Sequence, residues 1–284
     1  MSRPVRVTVR HLGVAAAALV AALGAWVAGA RLRAPRVLRF DYWAAPLDEE
    51  GYRALAARDG WSARPFDLGG GLVARGLERA ARDASAPWIV FFPGNSGTVL
   101  EDSQKYLDAL VGDRGWGAVV WAYRGFDGSG GAPKPELLVD DAWRQYQLVV
   151  QERGGSPAQV HVIGFSLGSA IASAVEARAA DHPPASVVLL APLTVVDVSG
   201  DSYETLRYLD AFRGPTLVLH GGSDDTLPVS GAREVANRLG THAHLVVLPG
   251  LRHFDLLASK AAVDVVRSFT EGHGDDLEAP AAVR

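Results

Sequence analysis

From Trp88 onward the chain alternates short, continuous apolar runs with longer stretches of helical period. "WIVFF" (88–92), "GAVVWAY" (117–123), "QVHVIGF" (159–165), "SVVLLAP", "PTLVLHG" and "HLVVLP" are mainly apolar runs of strand length. A strand that is apolar on both faces is buried on both faces, the condition of a parallel sheet covered by helices. Between the runs, residues 102–111, 136–153, 167–179, 229–239 and 256–269 repeat their apolar positions at helical spacing. The pattern predicts an α/β fold with a mostly parallel central sheet and helices on both faces. Ahead of it, residues 36–82 are irregular, with a short hairpin predicted about Gly69-Gly70-Gly71. The sequence shows no internal repeat and no second-domain linker.

In such sheets function collects at the C-terminal ends of the strands, so the loops that follow strands carry the information. They read "PGNSGT", "YRGFDGSGGAP", "GFSLG", "APLTVVD", "HGGSDDTLP" and "PGLRHFD". "VIGFSLGSA" is a strand running into Gly-x-Ser-x-Gly and then into a helix. That context makes Ser166 a candidate nucleophile on a sharp turn, with Gly164 and Gly168 allowing strand and helix to approach. The plainer reading is a serine in a glycine-rich loop of a chain with 31 glycines.

A serine hydroxyl attacks only when a neighbouring base takes its proton, so a histidine and an acid to orient it are needed. Of the eight histidines, His11 lies in the N-terminal leader and His273 in the tail. His161, His182, His242 and His244 suit structural or surface roles, and His220 is placed to bond in the loop beyond its strand. His253, after the last strand and directly before a helix, is the candidate base. The loop "HGGSDDTLP" offers Asp224 and Asp225, with Asp197 as a third choice. An Asp-Asp pair in such a loop is also ordinary turn chemistry.

These pieces, in the order Ser…Asp…His, resemble an α/β-hydrolase, and within that superfamily the bud-emergence-type, membrane-anchored serine hydrolases near the serine aminopeptidase-like families. The resemblance runs from about Phe66 to Phe269 and is carried by "FFPGNSGT", "YRGFDGSGGAP…DDAW", "GFSLGSA", "HGGSDDTLPV" and "GLRHFD". In that family the acid stands four residues after the His of the "HG" pair, which implies Asp224 rather than Asp225. The resemblance further implies oxyanion donors at the backbone N–H groups of Asn95 and Leu167. Two departures stand out: Pro93 where the family usually has His, and a short cap between Pro192 and Pro215. The activity implied is hydrolysis of an ester or thioester of a small or lipid-like acyl group through an acyl-enzyme, with no cofactor and no metal. The alternatives are an aminopeptidase or amidase, for which Asp201 and Glu204 in the cap could bind an amine, and a non-catalytic binding module.

Composition narrows this further. With no cysteine, the chain has no disulfide, thiolate nucleophile or thiolate metal site. A net charge of −4 gives no cationic face for nucleic acid. None of the lysines follows a glycine as a Walker loop requires, and no dinucleotide fingerprint follows a strand. At the N-terminus residues 12–30 are uncharged and about long enough to span a bilayer. They predict a signal anchor over residues 1–35 with the domain outside the cytoplasm; the other reading is a signal peptide cut at Ala28-Gly29-Ala30. A hydrolase domain over 36–272 and a flexible tail over 273–284 complete the expected organisation.

Overall fold

The computed structural model describes residues 37–152 and 156–274. The apolar run at 12–30 and the tail beyond 274 lie outside the described residues. Eight strands form the main sheet: β1 (Trp61–Ala63), β2 (Gly76–Arg79), β3 (Trp88–Phe92), β4 (Gly117–Trp121), β5 (Val160–Phe165), β6 (Ser186–Leu190), β7 (Thr216–Gly221) and β8 (Ala243–Leu248). Their order is β1-β2-β4-β3-β5-β6-β7-β8. β1 and β2 run antiparallel to their neighbours, and every pairing from β4 to β8 is parallel. Every residue of β3 through β7 is buried, as their largely apolar runs lead one to expect, and the burial includes the polar His161, Ser186, Thr216 and His220.

Helices cover both faces. α2 (Val99–Val111), α6 (Asp255–Ala258) and α7 (Lys260–Thr270) pack together on one, and α3 (Pro135–Glu152) packs on α4 (Leu167–Arg178) on the other. α5 (Val229–Leu239) lies against β7 and β8, and α1 (Glu49–Ala56) precedes β1. Asp48 starts α1 by accepting the Gly51 N–H at 2.7 Å, an Asp doing what a helix N-cap asks of it. After β4 the chain is pinned to α3 by a two-pronged ion pair, Arg124 Nε to Asp141 Oδ2 at 2.6 Å and Nη2 to Oδ1 at 3.0 Å. Both side chains are buried, so the planar guanidinium and the carboxylate satisfy each other away from water.

Three elements differ from the sequence pattern. The last helix is two: Ser259 is extended (ψ 123°), and its hydroxyl accepts the Ala262 N–H at 3.4 Å, so it caps a new start. The "APLTVVD" loop opens into a hairpin, Val195–Val198 against Asp201–Glu204. Helix α2 begins at Val99, three residues before the predicted start. The predicted glycine hairpin is present, Phe66–Gly69 against Leu72–Ala74, with positive φ at Gly69, Gly70 and Gly71.

The order β4-β3-β5 decides where a ligand belongs. After β3 the chain moves to one side of that strand, and after β4 it returns to the other. The crevice beyond the C-terminal ends of β3 and β5 is therefore the switch point of the sheet.

Candidate active site

The two loops at the switch point are residues 93–98 and the β5–α4 elbow. Ser166 sits on the elbow with φ 53° and ψ −115°, a left-handed backbone that costs a serine on the order of 1–3 kcal/mol. The surroundings hold it there. Its N–H donates to Leu190 O at 2.9 Å, and its carbonyl accepts from Ser169 N at 2.9 Å. A Cβ on Gly164 would collide with the Gly168 carbonyl, and one on Gly168 would collide with the Phe92 carbonyl. Both glycines are thus required by close approach of backbones, which is what lets so sharp a turn form.

Leu167 heads α4, so its N–H has no partner inside the helix and sits at the positive end of the helix dipole. Asn95 lies on the neighbouring loop. Its side-chain Nδ2 donates to Asp41 O at 2.9 Å and its carbonyl accepts from Trp43 N at 3.3 Å. Its backbone N–H makes no bond among the described residues, and its Oδ1 is buried without a partner.

Asp224, in the loop after β7, has a fully buried carboxylate. Oδ1 accepts the N–H groups of Thr226 (2.9 Å) and Leu227 (2.7 Å), and Oδ2 accepts from His253 Nδ1 at 2.8 Å. Burial alone would raise its pKa; the hydrogen bonds from His253, Leu227 and Thr226 outweigh burial and hold it below the usual carboxylate range. An ionised carboxylate only accepts, so Nδ1 of His253 carries the hydrogen and Nε2 is left as the basic atom. The His253 ring is buried between Phe165, 4.9 Å away, and Phe254, 5.2 Å away edge-to-face.

His220 approaches the same acid from behind. Its Nε2 lies 3.1 Å from Leu227 O and 3.3 Å from Asp224 Oδ2, so Nε2 carries a hydrogen as well. Burial is the main reason its pKa is lowered, which keeps it neutral beside the acid. The sequence suggested a bond from His220 into its own loop; that this bond would brace the acid was not visible.

Ser166, Leu167, Asn95 and His253 line one pocket of about 360 Å³. Its walls are apolar: Phe40, Phe165, Leu193, Val196, Val198 and Leu227, with Trp43 (69% exposed) and Phe254 (53% exposed) presenting aromatic surface to solvent. Asp41 and Thr226 are its other polar residues. Phe40 and Trp43 come from the segment before α1, and Val196 and Val198 from the unforeseen hairpin. No periodicity marks them, because they belong to short segments that become walls only through tertiary placement.

Of the alternative acids, Asp225 is exposed and accepts from Thr226 Oγ1 at 3.4 Å. Asp197 turns into its own hairpin, accepting Gly200 N at 2.9 Å. Neither bonds to His253. The cap acids are also occupied away from this pocket: Asp201 binds Lys134 Nζ at 3.1 Å and the Tyr42 hydroxyl at 3.2 Å, and Glu204 accepts from Ser202 Oγ at 3.2 Å. Among the described residues no group of three or more His, Asp or Glu side chains is arranged to hold a metal ion.

No family model matches the chain. Solved structures do. A hormone-sensitive lipase from a metagenome library superposes with a TM-score of 0.60 at 19% identity, covering 82% of this chain and 94% of that one. A thermophilic esterase from Thermogutta terrifontis gives 0.59 at 19%, over 75% and 94%. A putative α/β hydrolase from Agrobacterium tumefaciens gives 0.57 at 18%, over 74% and 97%. The fold is that of the α/β hydrolases. Among curated proteins, an uncharacterised protein of Mycobacterium tuberculosis is 27% identical over 201 residues, 65% of this chain and 70% of that protein. The lysophosphatidylserine lipase ABHD12 of Danio rerio is 31% identical over 134 residues, 45% of this chain. The chain therefore spans 35% of that lipase's length.

Proposed function

We propose that this α/β-hydrolase chain is a serine esterase that cleaves a carboxylic ester of an apolar acyl group. One observation carries the reading: a serine on a strained strand-to-helix elbow shares an apolar pocket with a histidine whose Nδ1 is fixed by a buried, ionised aspartate. In this reading His253 Nε2 takes the Ser166 proton as Oγ attacks the ester carbonyl. The Asn95 and Leu167 N–H groups stabilise the oxyanion, Asp224 stabilises the imidazolium, and His253 returns the proton to the departing alcohol. Water then repeats the sequence on the acyl-enzyme. The apolar walls take the acyl chain.

An ester fits this pocket better than a peptide amine terminus. Among the described residues Asp41 is the only carboxylate on its lining, while Asp201 and Glu204 bond elsewhere. A lipase and an esterase among the similar proteins support the same substrate class. We also propose that residues 12–30 tether the domain to a membrane, outside the cytoplasm, on the strength of their length and lack of charge.

The test is turnover of p-nitrophenyl esters of increasing acyl length by the purified full-length protein, with fluorophosphonate labelling alongside. The expected result is labelling at Ser166 and kcat/KM rising with chain length until the pocket is filled. An unlabelled protein that turns over no ester would end the reading.

A further inference from the structure

Asn95 lies on a loop that is fastened on both sides by the segment following β4. Ahead of Asn95, the Tyr123 hydroxyl donates to Pro93 O at 2.8 Å. Behind it, Asp127 Oδ2 accepts the N–H of Leu100, in the first turn of α2, at 2.7 Å. The second bond is unusual in its source. The first N–H groups of a helix need acceptors, and the residue in the cap position normally supplies one. Thr98 holds that position here and makes no side-chain cap bond. A carboxylate 27 residues further on does the work instead.

Asp127 is held in place at some cost. It is 1% exposed, its φ is 49°, and its Oδ1 is buried with no partner. Burial raises its pKa to about 6, with the N–H groups of Leu100 and Val99 pulling the other way. Its carbonyl accepts from Arg75 Nη1 at 3.1 Å, which fixes the turn that presents the carboxylate. Local turn chemistry does not explain a buried carboxyl with one empty oxygen, because asparagine suits a left-handed position equally well. What the two bonds share is the loop between them, and Asn95 is the residue that loop delivers to the pocket.

We propose that Tyr123 and Asp127 form a clamp that positions the Asn95 N–H for the oxyanion. They touch neither substrate nor Ser166, so they are positioning residues. The inference rests on the esterase reading of the pocket. An oxyanion donor is effective only when it is preorganised, and losing one outright costs about 10²–10³ in turnover. A loosened donor loses part of that.

The experiment compares full-length Asp127→Ala, Asp127→Asn, Tyr123→Phe and Ser166→Ala on a p-nitrophenyl ester, reading kcat and KM separately. Hydrogen exchange is followed at residues 93–102. Asp127→Ala is expected to lower kcat by roughly 10- to 100-fold with KM little changed, and to speed exchange in that window. Asp127→Asn keeps an acceptor for the Leu100 N–H and should recover most of the loss. Tyr123→Phe should lower kcat in the same sense, and it carries the test if Asp127→Ala gives no cooperative melt. Unchanged kcat in Asp127→Ala and Tyr123→Phe overturns the clamp, as does a rise in KM alone. If Ser166→Ala abolishes turnover while both clamp variants are normal, only the clamp is wrong. If Ser166→Ala retains turnover, the esterase reading fails and the clamp fails with it.

Discussion

One strand, β5, presents a serine–histidine pair at each of its ends. At its start His161 Nδ1 lies 2.8 Å from Ser186 Oγ, on the neighbouring β6, beside a pocket of about 270 Å³. Just past its other end Ser166 shares a pocket with His253. Residue types and a cavity do not separate the two. Their surroundings do. His161 is stacked on Trp116 at 5.1 Å, no carboxylate bonds to it among the described residues, and burial followed by Arg114 lowers its pKa to about 4. An imidazole so disfavoured as a cation is a poor acceptor for a serine's proton. His253 has a buried aspartate that stabilises the charge it would take on. Ser186 is a regular strand residue, whereas Ser166 is forced into a left-handed turn at the start of a helix. The acid, the elbow and the helix start distinguish the proposed site at Ser166; a serine beside a histidine does not.

The largest effect that would break this contrast belongs to the serines. Ser166→Ala should lower turnover by about 10⁶ and abolish fluorophosphonate labelling, while Ser186→Ala should leave both unchanged. Labelling that survives in Ser166→Ala and disappears in Ser186→Ala would place the chemistry at the wrong end of β5.

The next effect belongs to the acid. Asp224→Asn leaves a group that can donate to His253 Nδ1 and so stabilises the wrong tautomer, at a cost of about 10⁴ in turnover. Asp225→Asn and Asp197→Asn should be close to wild type, since neither carboxylate bonds to His253. Near-normal turnover in Asp224→Asn with loss in either of the others would reassign the acid.

What could be read in the sequence follows from the same physics. The strands from β3 to β7 were legible because interior parallel strands must be apolar on both faces, so pattern and burial coincide; edge strand β8, with only Val246 and Leu248 buried, was legible from its apolar run alone. Ser166 and His253 were legible because each stands at a strand's C-terminal end in a loop with a distinctive sequence. Asp224 needed the family resemblance to be chosen over Asp225, since two adjacent carboxylates differ only in which way the turn aims them. The Thr226 and Leu227 N–H groups do that aiming. The hairpin bearing Val196 and Val198, the Phe40 and Trp43 walls, and Asp127 were not legible. Each acquires its role from a neighbour distant in sequence: Ser199 N reaches Phe40 O across the hairpin turn, and Leu100 N reaches Asp127. The break at Ser259 was hidden by an apolar period that runs across it, although a serine followed three residues later by a helix interior is a cap signal in retrospect.

The smallest effect sharpens the contrast from the structural side. Because His161 is neutral in the folded chain down to about pH 4, while an unfolded histidine takes a proton near 6.5, the unfolded state binds more protons between those values. The stability that His161 contributes is therefore complete above about pH 6.5 and is lost as pH falls toward 4. Between pH 7 and pH 5 the loss should come to about 2 kcal/mol. His161→Gln keeps an acceptor for the Ser186 hydroxyl and cannot titrate. Urea unfolding of both proteins at the two pH values isolates this histidine, because the remaining groups are common to both. The wild type should lose about 2 kcal/mol more than His161→Gln over that interval, with ester turnover at pH 7 the same in both. Equal losses would mean that His161 is hydrated and free to charge. It would then be a usable base, and the distinction between the two ends of β5 would rest on the elbow, the helix start and the carboxylate bonded to His253.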